Sequence, residues 1–450
     1  MAETTIPDNA LTAFLEALDK GNFKTAEQYP GDSPQRQPIH TFYGGAHLFN
    51  ASLPAKLGAI ALRALDEHAP NAAALATALD LDPQIADRLY PRMVDKLKRE
   101  PIEDFRIDFE DGFGYRSDEE EDAAALHAAD EVAAGLAAGT LPPGIGIRVK
   151  PLTEELKRRS LRTFDLFLTR LVERTGGTLP PRFVVTLPKI TGPQQVAAMA
   201  SACDAFEYWR ELPHGTLRFE LMIETTQAIV AQDGSIALPR FIAEGQRRIV
   251  GVHFGAYDYT AACGITAAYQ RMDHPACDFA RSVMQAALAG TSIWLSDGAT
   301  NIMPVGPHRP SPGGPPLTPT QRAENTRVVQ RAWRLHATHV RHSLAAGFYQ
   351  GWDLHPAQLV PRYAAVHAFF LEGLAAASER LKNFVDQAAQ ATMVRDVFDD
   401  AATGQGLLNY FLRAVSCGAI TERDAVEMSG LSLEELRLKS FAKILANRRA

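Results

Sequence analysis

At 450 residues, 46% of them apolar and 22% charged, the chain can bury a sizeable core, and global disorder is excluded. The 46 basic and 53 acidic residues leave a net charge of −7, which argues against a protein whose main task is coating nucleic acid or an anionic membrane. Neither a secretory start nor a run of about 18 apolar residues is present, so the expectation is a soluble, cytoplasmic protein with no membrane partner. Cys203, Cys263, Cys277 and Cys417 show no CxxC pairing or metal-finger spacing and read as small core residues.

After an N-terminal helical arm (1–37), a repeating rhythm begins: a short β-rich run, a polar or glycine-containing turn, then a helical stretch. The predicted strands are IHTFY (39–43), DFRIDF (104–109), IGIRVK (145–150), RFVVTL (182–187), RFELMIE (218–224), RIVGVHFG (248–255), TSIWLS (291–296) and GWDLH (351–355). Between them lie helical stretches such as Ala123–Ala138, with Leu126, Val132 and Leu136 on one side. Eight strands alternating with helices predict an α/β fold, a (β/α)8 TIM barrel over 38–360. No GxGxxG or GxxxxGK[ST] follows any strand, which disfavours the rival open nucleotide-binding sheet.

Two regions depart from the rhythm. Met303–Thr320 carries seven prolines and three glycines and follows the seventh strand; it reads as a stiff loop over the site or as surface decoration. The region 361–450 reads as helices only, a C-terminal lid or oligomer-contact region. Ser432 with Glu435 is a capping-box start, and Leu433, Leu436, Phe441, Ile444 and Leu445 share a face. The cadence ITERDAVEMSGLSLEELRLKS suggests a helix-turn-helix, but its second helix opens on Glu434 and Glu435, where phosphates would sit, so no nucleic-acid partner is expected.

Strand ends carry the chemistry of a barrel. The fifth strand ends in Glu224 and the sixth is followed by Asp258, 34 positions on, one βα unit apart. Two such neighbouring carboxylates suit a hard divalent ion with oxygen ligands, or else a pair of salt-bridged structural acids. The second strand ends in DFEDG; alternation turns Asp108 and Glu110 to the barrel interior, with Asp111 following. Arg148, ending the third strand, complements these acids, and its fork suits a substrate carboxylate. The acidic run Ser117–Asp122 reads as a helix N-cap with carboxylates in the first turn. His336, His339 and His342 drift around one helix and read as solvated or capping residues. His355, ending the eighth strand, is a candidate substrate contact. GxSxG, a catalytic-cysteine context and HExxH are all absent.

Taken together these motifs resemble the HpcH/HpaI aldolase and citrate lyase β-subunit superfamily. DFEDG is similar to DLEDA, GIRVK to VRVN, VTLPKITGPQQV to LPKVE and its helix. LMIET resembles IET, FGAYDYTAACG resembles FGAEDLAADLG, and GFYQGWDLHPAQL resembles GFxGKxxIHPxQ, all in family order across about 38–360. The resemblance implies a lyase or aldolase acting through a metal-stabilised enolate of a 2-keto acid or acyl thioester. Magnesium, or manganese, would be held by Glu224 and Asp258. Arg148 would bind the substrate, Glu110 and Asp111 would lie beside metal-bound water, and a homo-oligomer is expected. The substrate would be a small keto acid or an acyl-CoA, with the use of coenzyme A left open. The sequence departs from the family at Tyr257, where an acid is frequent, in the absence of a histidine from DFEDG, and in the insert Pro70–Glu103. The FGAYDYTA turn also resembles malate synthase, so condensation is the alternative reaction. A Schiff base on Lys150 or Lys189 and a non-catalytic regulatory barrel are the remaining readings.

Overall fold

The computed structural model describes residues 5–31, 33, 35–310, 313–386, 392–394, 397–399 and 401–449. Eight parallel strands close into a barrel in sequence order: β1 (His40–Gly45), β2 (Asp104–Asp108), β3 (Gly144–Arg148), β4 (Phe183–Leu187), β5 (Arg218–Ile223), β6 (Ile249–Phe254), β7 (Trp294–Ala299) and β8 (Gln350–Asp353). Helix α1 (Asp8–Gln28) precedes it. Between β1 and β2 run α2 (Leu53–His68), α3 (Ala72–Leu79) and α4 (Pro83–Arg99), so the insert supplies two extra helices. The next crossovers are α5 (Asp118–Ala138), α6 (Lys157–Thr175), α7 (Pro193–Trp209) and α8 (Leu238–Glu244). Then come α9 (Ala256–Ala262) with α10 (Pro275–Leu288), α11 (Pro319–Ala345), and α12 (Leu359–Asp386) after β8. The fold is the expected TIM barrel with additional C-terminal helices.

Alternation along the strands explains how the barrel is held. Phe105, Ile107, Ile145, Ile147, Val185, Leu187, Phe219 and Leu221 face the helices and are buried. Each such side chain contributes roughly 1.5–3 kcal/mol by leaving water. The inward residues, by contrast, are polar. Arg106 donates to Asp104 at 2.6 Å and to Glu220 at 2.7 Å, and Glu220 lies 3.1 Å from Nε2 of His253. Trp352 Nε1 donates to His253 Nδ1 at 2.9 Å. Every one of these groups is buried and paired, as a low-dielectric interior requires.

Several expectations need correction. The seventh strand lies at Trp294–Ala299, three residues beyond TSIWLS, and includes Asp297 and Gly298. His336 and His339 are buried, not solvated: both face the Thr300 hydroxyl, at 2.8 and 3.0 Å, and His336 Nε2 lies 3.0 Å from Asp353. The C-terminal region is not helices only. A short antiparallel pair, β9 (Thr392–Val394) and β10 (Val397–Asp399), precedes α13 (Ala401–Ser416), α14 (Glu422–Ser429), α15 (Leu433–Leu438) and α16 (Phe441–Arg449).

The tail's position is also unlike a lid over its own chain's strand ends. Position 361 falls in the first turn of α12, whose Arg362 pairs with Asp353 and whose Tyr363, Val366 and Phe370 are buried in the main core. Its 28 residues span about 42 Å, while a barrel strand of about six residues spans about 20 Å, so α12 carries the chain past the other end of the barrel. There Arg413 donates to Gln37 at 2.6 Å and Lys439 to the Ser33 carbonyl at 3.2 Å. Leu11, Phe14, Leu15 and Leu18 of α1 are all exposed. Among the described residues no helix is long and apolar enough to cross a membrane.

Candidate active site

The C-terminal ends of β2 to β6 gather a charged cluster. Asp108, the last residue of β2, accepts the backbone N–H of Glu110 at 3.0 Å and of Gly112 at 2.7 Å, which turns the chain sharply back over the barrel. Arg148, ending β3, donates from Nε (2.7 Å) and Nη2 (2.5 Å) to the same carboxylate. The edge of the fork expected for a substrate carboxylate is therefore on Asp108. The remaining nitrogen, Nη1, lies 3.1 Å from Glu110 Oε2, and the guanidinium sits 4.9 Å from the Tyr43 ring centroid.

Lys189 follows β4 with φ +50, in the left-handed region that costs a non-glycine residue about 1 kcal/mol. Its backbone N–H donates to Glu224 at 2.7 Å. Its ammonium bonds Glu110 and reaches Asp111 at 3.1 Å and Asp258 at 3.6 Å. Glu224 is 1% exposed, and Gly255 makes room for it: a Cβ there would stand 2.5 Å from Glu224 Oε2. Five of the sequence-predicted residues, Glu110, Asp111, Arg148, Glu224 and Asp258, thus meet around one lysine.

The electrostatics follow from burial. Burial pushes the Glu224 carboxyl up to about 8; Lys189 opposes this and Asp258 adds to it. Burial likewise raises Glu110, against Arg148 and Lys189. For Asp111 burial is outweighed by Arg148 and Lys189, which hold it below the usual range. The carboxylates around Lys189 raise its pKa despite burial, which keeps the amine protonated and poorly nucleophilic. Lys150 points elsewhere, donating to the Phe109 carbonyl at 2.7 Å and lying 3.1 Å from Glu121 of α5. Neither lysine is set up as a Schiff-base amine.

Oxygen donors fit a hard divalent cation here. Glu224 accepts the backbone N–H of the lysine whose ammonium Asp258 faces. The buried Glu110 Oε2 makes no hydrogen bond and has only the Arg148 ion pair, at 3.1 Å, so carboxylate oxygens converge here with few donors to satisfy them. A different trio, Asp204, Glu207 and His214, brings its ligand atoms within 4.8 Å of one another. Arg248 already occupies it, donating to Glu207 at 2.7 and 2.8 Å and to Asp204, so that trio is a closed ion-pair network.

Tyr43 was not singled out from the sequence, though its inward position at the end of the first predicted strand was readable. Its hydroxyl is buried without a partner, and burial holds its pKa far above the usual value, so it stays a neutral donor. His355 caps the turn after β8, its Nδ1 accepting from Ala357 N–H at 3.2 Å; burial and Arg309 lower its pKa. It makes no contact with the Lys189 cluster. The proline-rich loop starts on the rim, where Asn301 N–H donates to Tyr257 at 3.0 Å; Ser311 and Pro312 lie outside the described residues. Ser117 accepts Glu120 N–H at 3.2 Å, the expected cap.

The model of the family described as Domain of unknown function (DUF6986) matches residues 18–444. The chain belongs to that family. No curated protein matches the sequence. Among solved structures, the DUF6986 chain is similar to a citrate lyase from Burkholderia xenovorans LB400, at 17% identity and a TM-score of 0.59, covering 88% of this chain and 97% of that one. That likeness is one of fold, the barrel the citrate lyase resemblance implied. A Haloferax volcanii malate synthase aligns at 12% identity and a TM-score of 0.45, covering 91% and 99% of the two chains. The protein CitE from Mycobacterium tuberculosis, in complex with magnesium and acetate, aligns at 18% and 0.37, covering 62% and 87%.

Proposed function

We propose that this DUF6986 chain is a divalent-cation-dependent carbon–carbon lyase or aldolase acting through the enolate of a 2-keto acid or acyl thioester. The observation that carries the reading is the buried Glu224 carboxyl, beside Asp258 and facing Lys189 and Arg148 at the barrel mouth. Glu224 and Asp258 would hold the cation, magnesium or manganese. When bound, it supplies positive charge against the oxygen that becomes negative in the enolate.

The chain's own residues divide the remaining work. Asp108 fixes Arg148, so that Nη1, which faces Glu110 Oε2 at 3.1 Å, is the nitrogen a substrate oxygen would take over. Glu110, with a pKa raised by burial and an Oε2 whose neighbour is Arg148 rather than a hydrogen-bond donor in line, is the group placed to hold or pass a proton. Asp111, 61% exposed, stays ionised and orients Lys189. Tyr43, Met222 and Trp352 form a small apolar floor that keeps water from beneath Arg148. His355 belongs to the outer rim, where it would reach a substrate only through a longer group such as a thioester arm. The homo-oligomer and the choice between keto acid and acyl-CoA belong to the same proposal.

Enolate formation is tested without knowing the acceptor. Pyruvate, oxaloacetate and acetyl-CoA are incubated with the protein and magnesium in D2O, and exchange of the protons next to the carbonyl is followed by NMR. Exchange that needs the cation and stops with chelator supports the reading. No exchange with any of the three, with the cation shown bound, retires it. Chelator-resistant exchange with a borohydride-trapped lysine adduct would restore the Schiff-base chemistry.

A further inference from the structure

At the end of the barrel opposite Glu224, the starts of β2 to β7 surround a cavity of about 550 Å³. Its two acids are already engaged: Asp104 and Glu220 both pair with Arg106, and Glu220 also lies 3.1 Å from His253 Nε2. Arg182, Arg218 and Arg247 complete the charged lining. Among the described residues Arg182 and Arg218 make no ion pair, and Arg247 has only a surface contact with Glu27 at 3.4 Å. The Arg182 guanidinium is half-buried, lying 5.2 Å from the Trp294 ring centroid.

The backbone around the cavity is held at a cost. Arg182 (φ +59), Arg247 (φ +63) and Ser292 (φ +64) all adopt the left-handed region, which glycine enters more easily than any other residue. Three lining residues that keep side chains in glycine-like positions, two of them cationic, point to side-chain use. Burial lowers the Arg182 pKa, with Asp104 opposing and Arg36 adding to the effect, so an added negative charge there would relieve the site.

We propose that this cavity binds a small oxyanion, a phosphate group or a dicarboxylate, gripped by Arg182 and Arg218. Arginine forks match both kinds of oxygen pair, and the cavity has room for a ligand of metabolite size. The site lies at the strand starts, apart from the mouth, and stands whether or not the enolate chemistry is right.

The test is calorimetric titration of the metal-free full-length protein with inorganic phosphate and, separately, with succinate, at low ionic strength. At least one anion should bind. Arg182→Gln and Arg218→Gln should each weaken binding roughly tenfold or more, while Lys189→Gln at the mouth leaves it unchanged. Arg218 is exposed and pairs with no acid, so its variant folds and keeps the test decisive. Heat with phosphate alone assigns a phosphoryl ligand; heat with succinate alone assigns a dicarboxylate. No binding of either anion, affinities unchanged in both arginine variants, or binding lost on Lys189→Gln alone would overturn the proposal.

Discussion

The two ends of this barrel carry opposite chemistry on the same eight strands. At the strand ends, Glu110, Asp111, Glu224 and Asp258 surround one lysine, with Arg148 tied to Asp108. At the strand starts, Arg182, Arg218 and Arg247 line a cavity whose acids are already paired. Between them runs a hydrogen-bonded column, Arg106–Glu220–His253–Trp352, with the Tyr43 ring tilted against Trp352 at 4.6 Å and lying beneath Arg148. The apolar shell outside the strands supports the fold, which leaves the inward positions free for charge. An excess of acid at one end suits a cation, and an excess of base at the other suits an anion.

The largest expected effect breaks the acidic end. Glu224→Gln keeps the shape but removes the ligand charge, so bound magnesium should disappear from equilibrium dialysis and enolate exchange should fall by roughly 10³-fold. The melting temperature should no longer rise with magnesium, as it should in the unmodified protein. Wild-type metal content in the variant would remove Glu224 from the cation site.

Next comes Arg148→Lys. An ammonium cannot hold Asp108 through two nitrogens and still present a third, so kcat/KM should drop roughly 30- to 1000-fold. Stability should fall by about 1–3 kcal/mol, because Asp108 is buried and loses part of its pairing. Unchanged kinetics with a lowered melting temperature would make Arg148 a purely architectural residue.

The strand-start end has its own acid-sensitive anchor, Glu103, which precedes β2. Burial pushes its carboxyl up, but Lys96 and Arg36 pull it further down, to about 2. Its unfolded value is about 4.5, so this stabilisation is fully present above that pH and is lost as pH falls from about 4.5 to 2. The gap is worth about 3 kcal/mol at neutral pH. Glu103→Gln should flatten that stretch of a chemical-denaturation pH profile; an unchanged slope would place the acid sensitivity elsewhere.

How much of this was readable beforehand depended on distance along the chain. Strand alternation turned Asp108 and Glu110 inward, because a period of two fixes which side chains face the barrel, and strand-end position alone located Arg148 and Glu224. Asp297 and Gly298 hid the end of β7, since both residue types are depleted from strands, yet Asp297 is paired there with Arg281 at 3.0 Å. The burial of His336 and His339 rests on Thr300, Asp353 and Asp273, partners remote in sequence that helix spacing cannot reveal. Lys189 could be seen at a strand end, but only folding shows it facing three carboxylates rather than a substrate carbonyl. The arginines of the other end stand at or just before strand starts, where a barrel reading does not look for ligands.

The smallest expected effect at the mouth comes from removing 387–450. That cut keeps α12, which closes the barrel through Tyr363 and Phe370, and removes the helices that contact Gln37 and Ser33 at the strand starts. Phe384, stacked on Phe441 at 5.2 Å, and Leu381 would become exposed, so the melting temperature should drop. Enolate exchange should persist, because none of the residues around Lys189 contacts the removed helices. A cut after Pro361 would instead take away the buried Arg362–Asp353 pair and the closing helix, and should prevent folding. If the 387–450 deletion stays folded and monodisperse yet loses exchange, the tail must reach the mouth of a neighbouring subunit. The division between the two ends would then hold within one chain but not in the assembly.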